Sequence, residues 1–114
     1  VHDRGGNEVG VREQQPLPLA EWQFVAFTLD GATLRLYRNG VEVAATPCDG
    51  LSAFGPSALG VGVKLGTTER QPEINTPGFW DGRIDELAIF HHVLTAEQIR
   101  TLYDISLTPS GGSY

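Results

Sequence analysis

The fold of this chain is decided by residues 22–46, which read WQFVAFTLDGATLRLYRNGVEVAAT. Apolar and polar residues alternate there in three short runs, and a period of two is typical of half-buried β-strands. Asp30-Gly31 and Asn39-Gly40 separate the runs. Both dipeptides tolerate the positive φ angles of a two-residue type I′ hairpin turn. The stretch therefore predicts three antiparallel strands, over residues 22–29, 33–38 and 41–46.

Two later segments also alternate. Residues 59–66 read LGVGVKLG, which predicts a strand with an apolar face and a glycine-rich face. Residues 79–90 read FWDGRIDELAIF and predict a strand with Asp85 and Glu86 at its middle. Successive strand residues point to opposite faces, so at least one of the two carboxylates adjoins the core. That carboxylate needs a cation, an arginine or backbone N–H groups as a partner.

One helix is predicted near the C-terminus. Thr95-Ala96-Glu97-Gln98 is a capping box, in which the Thr95 hydroxyl and the Gln98 side chain each bond the backbone N–H of the other residue. Ile99, Leu102 and Tyr103 then form a narrow apolar stripe, which predicts a short helix lying as a lid on the sheet and ending by Pro109.

Composition excludes several classes of partner. With 114 residues the chain is long enough for one hydrophobic core, and 14 acidic against 8 basic residues give a net charge of −6. Such a charge disfavours nucleic acid and anionic membranes, and no apolar run approaches the roughly 20 residues of a membrane span. The acidic excess serves solubility and is also compatible with calcium. Cys48 has no second cysteine to pair with.

Taken together, these blocks resemble the C-terminal portion of laminin G-like domains of the concanavalin A-like lectin/glucanase superfamily. The resemblance rests on the tryptophan strand with its Asp-Gly turn, on the Leu-Tyr-x-Asn-Gly hairpin, and on residues 79–103. It implies an all-β, antiparallel jelly-roll β-sandwich with one short C-terminal helix. Only residues 1–19 precede the first block, where the family has several more strands. We therefore expect a laminin G-like domain over residues 1–107 that lacks the usual N-terminal strands, and a linker or tail over 108–114.

The resemblance also implies a metal site. In members of this family the acids of the Ile-Asp-Glu motif hold a structural calcium ion together with oxygens of an N-terminal loop, which points to Asp85 and Glu86 here. The alternative is that Asp85 caps backbone amides or pairs with Arg83 or Arg100.

Two aromatic residues are candidates for ligand binding. Trp80 and Tyr37 could stack on sugar rings, although burial in the core is the commoner role of aromatic side chains. Trp22 is expected in the core. The adjacent pair His91-His92 is not expected to share a metal ion, because neighbours in an extended segment face opposite ways.

Catalysis is not expected. Glucanases of this fold carry clustered acids with the spacing Glu-x-Asp-x-x-Glu, and this spacing does not occur in the chain. We predict a non-catalytic binding module of a larger secreted or cell-surface protein, with a carbohydrate-binding or adhesive role. Its expected partners are a polysaccharide or a glycoprotein glycan and other domains of the parent chain, with no nucleic acid and no membrane insertion. The alternatives are a spacer without a ligand and, least favoured, a fragment of a glycoside hydrolase.

Overall fold

Three strands and one helix make up the regular structure of the computed structural model, which describes residues 1–52, 61, 62, 71, 75 and 80–108. In chain order they are β1 (Val25–Leu29), β2 (Thr33–Arg38), β3 (Val41–Pro47) and α1 (Ala96–Ser106). The chain divides into two compact units, and all four elements lie in the first. The first unit comprises Val1–Ala53 and Phe90–Tyr114, and the second comprises Phe54–Ile89.

The strands form one antiparallel sheet in the order β1-β2-β3. Leu29 of β1 pairs with Leu34, and Arg38 of β2 pairs with Val41. This confirms the three predicted strands, although β1 begins at Val25 and not at Trp22. An antiparallel, mostly β chain with one short helix agrees with the predicted fold class. The described residues contain this single sheet, so the second sheet of a jelly-roll sandwich stays a prediction.

The two hairpin turns differ. Asn39 and Gly40 have φ angles of 51° and 80°, the type I′ turn that the sequence predicts. In the first hairpin only Gly31 has a positive φ, of 89°, and it is the first central residue, as in a type II′ turn. The prediction of a type I′ turn at Asp30-Gly31 is therefore wrong. The Asp30 carboxylate accepts the N–H groups of Ala32 and Thr33, at 3.0 and 2.8 Å, so Asp30 is the residue before the two central positions of the turn.

Buried residues lie on both faces of β2. Leu34 and Tyr37 have opposite orientations along the strand and are only 3% and 4% exposed. Ile99 of α1 is 1% exposed, which makes it the most deeply buried side chain of the described residues. Helix α1 packs against the β2–β3 hairpin. It also contacts the residue before β1, since the ring centroids of Phe24 and Tyr103 lie 5.9 Å apart.

The helix begins as the sequence predicts. The Thr95 hydroxyl accepts the Gln98 N–H at 3.1 Å, and the Gln98 side-chain oxygen accepts the Thr95 N–H at 2.9 Å. This reciprocal pair satisfies two of the backbone donors that a helix leaves open at its N-terminus. The helix ends at Ser106, before Pro109.

The segment after β3 is fixed to the N-terminus. Residues 1–9 form a small hairpin with a bridge between His2 and Glu8. The Arg4 N–H donates to the Asp49 carbonyl at 3.0 Å. Cys48, on the same segment, is 3% exposed, and its thiol donates to the Gly50 carbonyl at 3.4 Å.

The strand predicted over residues 79–90 is not observed in its described part, residues 80–90. Their side chains are all exposed, and Glu86 has a φ of 56°, which interrupts the two-residue alternation. A strand also requires a neighbour that completes a ladder of hydrogen bonds, and among the described residues the backbone bond from this segment to another is that of the Trp80 N–H to the Gly62 carbonyl. The strand predicted over residues 59–66 lies outside the described residues, except for Val61 and Gly62.

Candidate functional site

The predicted ligand-binding residue Trp80 lies at the surface of the second unit. Its side chain is 50% exposed, and its backbone N–H donates to the Gly62 carbonyl at 2.7 Å. Gly62 has a φ of 74°, and a Cβ atom there would lie 3.2 Å from the Cβ of Trp80 and 3.1 Å from Cδ1 of Ile84. Glycine is therefore required at position 62, both for its backbone conformation and for this close approach.

A second glycine adjoins the indole ring. A Cβ atom on Gly82 would lie 3.0 Å from Nε1 of Trp80, so the edge of the ring is close to the Gly82 backbone. The indole is thus held by its own short turn while half of its surface meets solvent. An aromatic ring held in this way at a turn can present a flat, apolar surface to a ligand at little cost in conformational entropy.

The two predicted calcium ligands follow Trp80 on the same segment. Asp85 and Glu86 are exposed, and an Asp85 carboxylate oxygen accepts the Glu86 N–H at 2.8 Å. The alternative role foreseen for Asp85, capping a backbone amide, is therefore present. Arg100, its other candidate partner, bonds Asp104 at 3.2 Å.

Asp85 and Glu86 do not by themselves fit calcium. Their carboxylates supply at most four oxygens, and calcium takes six to eight. Within the described part of the chain, no three His, Cys, Asp or Glu side chains are grouped to hold a metal ion. The calcium site stays a prediction.

Tyr37, the other predicted stacking residue, is a core residue. It is only 4% exposed, so its ring is not available for stacking on a sugar. The candidate role of Tyr37 in ligand binding is therefore wrong, and the alternative, burial in the core, is observed.

Trp22 is more exposed than the sequence predicts. The sequence predicts it in the core, yet 66% of it is exposed. It precedes β1 by three positions and belongs to the first unit, whereas Trp80 belongs to the second. Burial of an aromatic residue depends on what covers its face of the sheet, and the strand pattern alone does not give that information.

Sequence reasoning missed a polar network that ties residues 13 and 23 to the β2–β3 turn. The Arg38 guanidinium donates to both Glu13 carboxylate oxygens, at 2.8 to 3.1 Å, and to the Gln23 side-chain oxygen at 3.1 Å. The hydrogen bond from Arg38 lowers the pKa of Glu13. Asn39 donates to the same Gln23 oxygen at 2.9 Å and accepts the Phe24 N–H at 2.9 Å. The partners are far apart in sequence, so no local pattern indicates them.

A shallow groove in the first unit, of about 440 Å³, is a further candidate for ligand binding. No aromatic ring lines it, which makes it less suited to sugar stacking than the surface around Trp80. Its lining residues are Gly10, Val11, Arg12, Gln14, Val43, Ala44, Ala45 and Thr46.

A family model of laminin G type, described as the concanavalin A-like lectin/glucanases superfamily, matches residues 1–100. The chain belongs to this superfamily. The resemblance drawn from the strand and helix blocks is thereby confirmed. Concanavalin A-like domains include both lectins and glucanases, as the name of the superfamily states, so membership alone does not assign an activity.

One solved structure is similar to this concanavalin A-like chain. It is the 2.1 Å crystal structure of residues 221–444 of an S-layer domain-containing protein from Clostridium thermocellum, with 32% sequence identity and a TM-score of 0.58. The match covers 80% of this chain and 43% of that one, so the chain spans less than half of the solved relative. No curated protein matches the chain. Among the described residues, no helix has the length and apolar character needed to cross a membrane.

Proposed function

We propose that this concanavalin A-like chain is a non-catalytic module of a cell-surface protein, and that it binds carbohydrate through Trp80. The observation that carries the proposal is the half-exposed indole of Trp80, whose edge lies close to the Gly82 backbone. An indole ring offers an apolar face for the C–H groups of a sugar and an N–H donor at its edge.

Acidic side chains on the same segment as Trp80 support a sugar ligand. Asp81, Asp85 and Glu86 are exposed on the same short segment as Trp80. Ionised carboxylates are acceptors only and therefore suit the hydroxyl groups of a neutral sugar. Hydrogen bonds of this kind complement stacking, because they fix the orientation of a sugar that the flat ring alone does not orient.

The proposed module is non-catalytic on the evidence of its sequence. Glycoside hydrolysis needs a pair of carboxyl groups at a defined separation. The acid spacing Glu-x-Asp-x-x-Glu of the glucanases does not occur in the chain.

The location at the cell surface is supported by the solved relative, which is an S-layer domain-containing protein. The same relative is more than twice as long as the matched part. We therefore place the module outside the cell, beside other domains of its parent chain.

The proposal is tested by retention on insoluble polysaccharides, with cellulose, chitin, xylan and purified bacterial cell wall as probes. We expect the chain to be retained on at least one of them. Trp80→Ala should abolish retention because it removes the ring. Trp22→Ala, which removes the other exposed indole, should leave retention unchanged and serves as the matched control. Equal retention of both variants would contradict the proposal.

Two other outcomes decide between the alternatives. If the chain is retained on none of the probes, the proposal fails and the spacer role is favoured. If reducing sugar is released from a probe, the chain acts as a glycoside hydrolase and the non-catalytic assignment is wrong. Circular dichroism of each variant establishes that the substituted chain is folded.

A further inference from the structure

Four dipeptides of the chain place a glycine after an aspartate or an asparagine. The backbone nitrogen of such a glycine can attack Cγ of the preceding side chain and close a five-membered succinimide ring. Glycine favours the attack because it has no Cβ atom to obstruct it and has the widest range of backbone conformations. Hydrogen bonds that hold the side chain or the nitrogen oppose it. The four pairs are Asp30-Gly31, Asn39-Gly40, Asp49-Gly50 and Asp81-Gly82.

Hydrogen bonds hold the side chains of the first two pairs. One carboxylate oxygen of Asp30 accepts two backbone N–H groups, and the other accepts the Arg35 guanidinium at 2.6 Å. The Asn39 side chain accepts the Phe24 N–H and donates to the Gln23 side-chain oxygen, each at 2.9 Å. Both side chains must break these hydrogen bonds before they can react with the glycine that follows.

In the third pair the glycine is restrained. The Gly50 N–H donates to the Cys48 carbonyl at 3.0 Å. A Cβ atom on Gly50 would lie 2.7 Å from Nε of Arg4, so the Arg4 side chain covers the Gly50 backbone. The nitrogen of Gly50 must therefore leave an existing hydrogen bond before it can attack Asp49.

The pair Asp81-Gly82 lacks these restraints. Both residues are exposed and lie outside the helix and the strands. Within the described ranges of the chain, no residue forms a hydrogen bond with the Asp81 carboxylate, and none accepts the Gly82 N–H. Exposed irregular segments with small residues are where a chain is most open to chemical change. The folded structure thus distinguishes this pair from the other three.

We propose that Asp81 is a site of spontaneous isoaspartate formation in the folded chain. The Gly82 nitrogen attacks Cγ of the protonated Asp81 carboxyl group, and an N–Cγ bond forms. The proton of the nitrogen and the carboxyl hydroxyl leave as one water molecule. Water then opens the succinimide. Addition at the former main-chain carbonyl breaks its C–N bond and leaves Gly82 linked through Cγ, whereas addition at the other carbonyl restores aspartate.

The rearrangement reaches the indole ring of Trp80. An isoaspartate adds its Cβ atom to the main chain, so the backbone between Trp80 and Gly82 becomes one atom longer. The edge of the ring lies close to the Gly82 backbone, since a Cβ atom on Gly82 would be 3.0 Å from Nε1 of Trp80. A longer backbone changes this contact and therefore the surroundings of the ring. This effect does not depend on whether the ring binds a sugar.

Peptide mapping of the folded chain tests the modification. The chain is kept in mildly acidic buffer for weeks and then cut with trypsin. Asp81 is the sole aspartate of the tryptic peptide 71–83, and Asp30 is the sole aspartate of the peptide 13–35. We expect the first peptide to separate into two forms of equal mass, and the second form to accumulate several-fold faster than any isomer of the Asp30 peptide.

Two controls separate the effect of the fold from that of the local sequence. Asp81→Glu keeps the charge, but its longer side chain does not close the five-membered ring, so no second form of the peptide should appear. In concentrated urea the hydrogen bonds of Asp30 are lost. Its isomer should then form about as fast as that of Asp81.

Fluorescence provides a second readout. Trp22→Phe leaves Trp80 as the single tryptophan, and its emission should change in step with the fraction of isoaspartate. Several outcomes would overturn the proposal: a peptide 71–83 that keeps one form, an Asp30 isomer that forms as fast as that of Asp81 in the folded chain, or an Asp30 isomer that stays slow in urea. Constant emission from Trp80 while isoaspartate accumulates would overturn the inferred effect on the ring.

Discussion

At the scale of single residues, two glycines allow backbone strain to be separated from packing. Gly40 and Gly31 both have positive φ, of 80° and 89°. A Cβ atom on Gly40 would lie 2.7 Å from Cδ of Arg100 and 3.2 Å from Cδ1 of Tyr103, whereas one on Gly31 meets nothing within 4 Å. The conformation alone costs an alanine about 1–2 kcal/mol at either position.

We predict that Gly40→Ala lowers the free energy of unfolding by more than Gly31→Ala does. The contact with α1 adds to the backbone strain at Gly40, whereas at Gly31 the strain acts alone. Urea denaturation of the two variants gives the comparison. Equal losses would show that the helix moves aside without cost.

Ile99 carries the second prediction at this scale. It is 1% exposed, so Ile99→Ala removes buried methylene groups and leaves a cavity, at a cost of about 2–5 kcal/mol. Ile105 lies on the same helix and is 49% exposed. Ile105→Ala should therefore change the unfolding free energy by less than about 0.5 kcal/mol in urea denaturation. A similar loss in both variants would mean that α1 is not packed on the sheet through Ile99.

At the scale of the element, α1 depends on its N-terminal cap. Thr95→Ala removes the oxygen that accepts the Gln98 N–H and should lower stability by about 1 kcal/mol, with recovery in Thr95→Ser. Thr101→Ala, within the same helix, removes a bond from its hydroxyl to the Glu97 carbonyl. That loss should be small, because alanine is the better helix former. Thermal unfolding followed by circular dichroism distinguishes the three variants.

Elements with local signals were predictable from the sequence. The capping box at Thr95 and the turn at Asn39-Gly40 are defined by residues close in sequence, and both appear as expected. Residues 79–90 carry an equally regular alternation, yet their described part is not a strand. Strand formation depends on a partner elsewhere in the chain, and the alternation does not say whether one is present.

The candidate site was predictable in part for the same reason. Trp80 was identified because tryptophan in a turn-rich segment stands out in the sequence. Trp22 was expected in the core and is exposed, and Tyr37, offered as a stacking candidate with core burial as the alternative, is buried. The contacts that cover a side chain join distant parts of the chain and leave no periodic pattern.

At the scale of the whole molecule, the free energy of unfolding should depend on pH in the acidic range through Asp30. The hydrogen bond from Arg35, at 2.6 Å, and those from the Thr33 and Ala32 N–H groups lower the pKa of Asp30 from 3.8 to about 2. A lowered folded-state pKa stabilises the protein above the unfolded value of 3.8, and this contribution is lost as the pH falls from 3.8 toward 2. Glu13, whose pKa is also lowered, acts in the same direction.

We therefore expect the free energy of unfolding to fall as the pH is lowered from about 4 to 2, and the fall to be smaller in Asp30→Asn. Urea denaturation across this range measures both slopes. Equal slopes in the two proteins would show that the hydrogen bonds to the Asp30 carboxylate do not stabilise the folded chain in solution.

Cys48 gives the chain an internal reporter of opening. It is the only sulfur-containing residue, since the sequence has one cysteine and no methionine, and it is 3% exposed. A thiol reagent reacts with an exposed thiolate. It therefore modifies Cys48 only after the segment that joins β3 to the N-terminus has detached. Each molecule that has opened then gains one mass increment. Intact-mass spectrometry can therefore count the opened fraction over time, with no substitution in the chain.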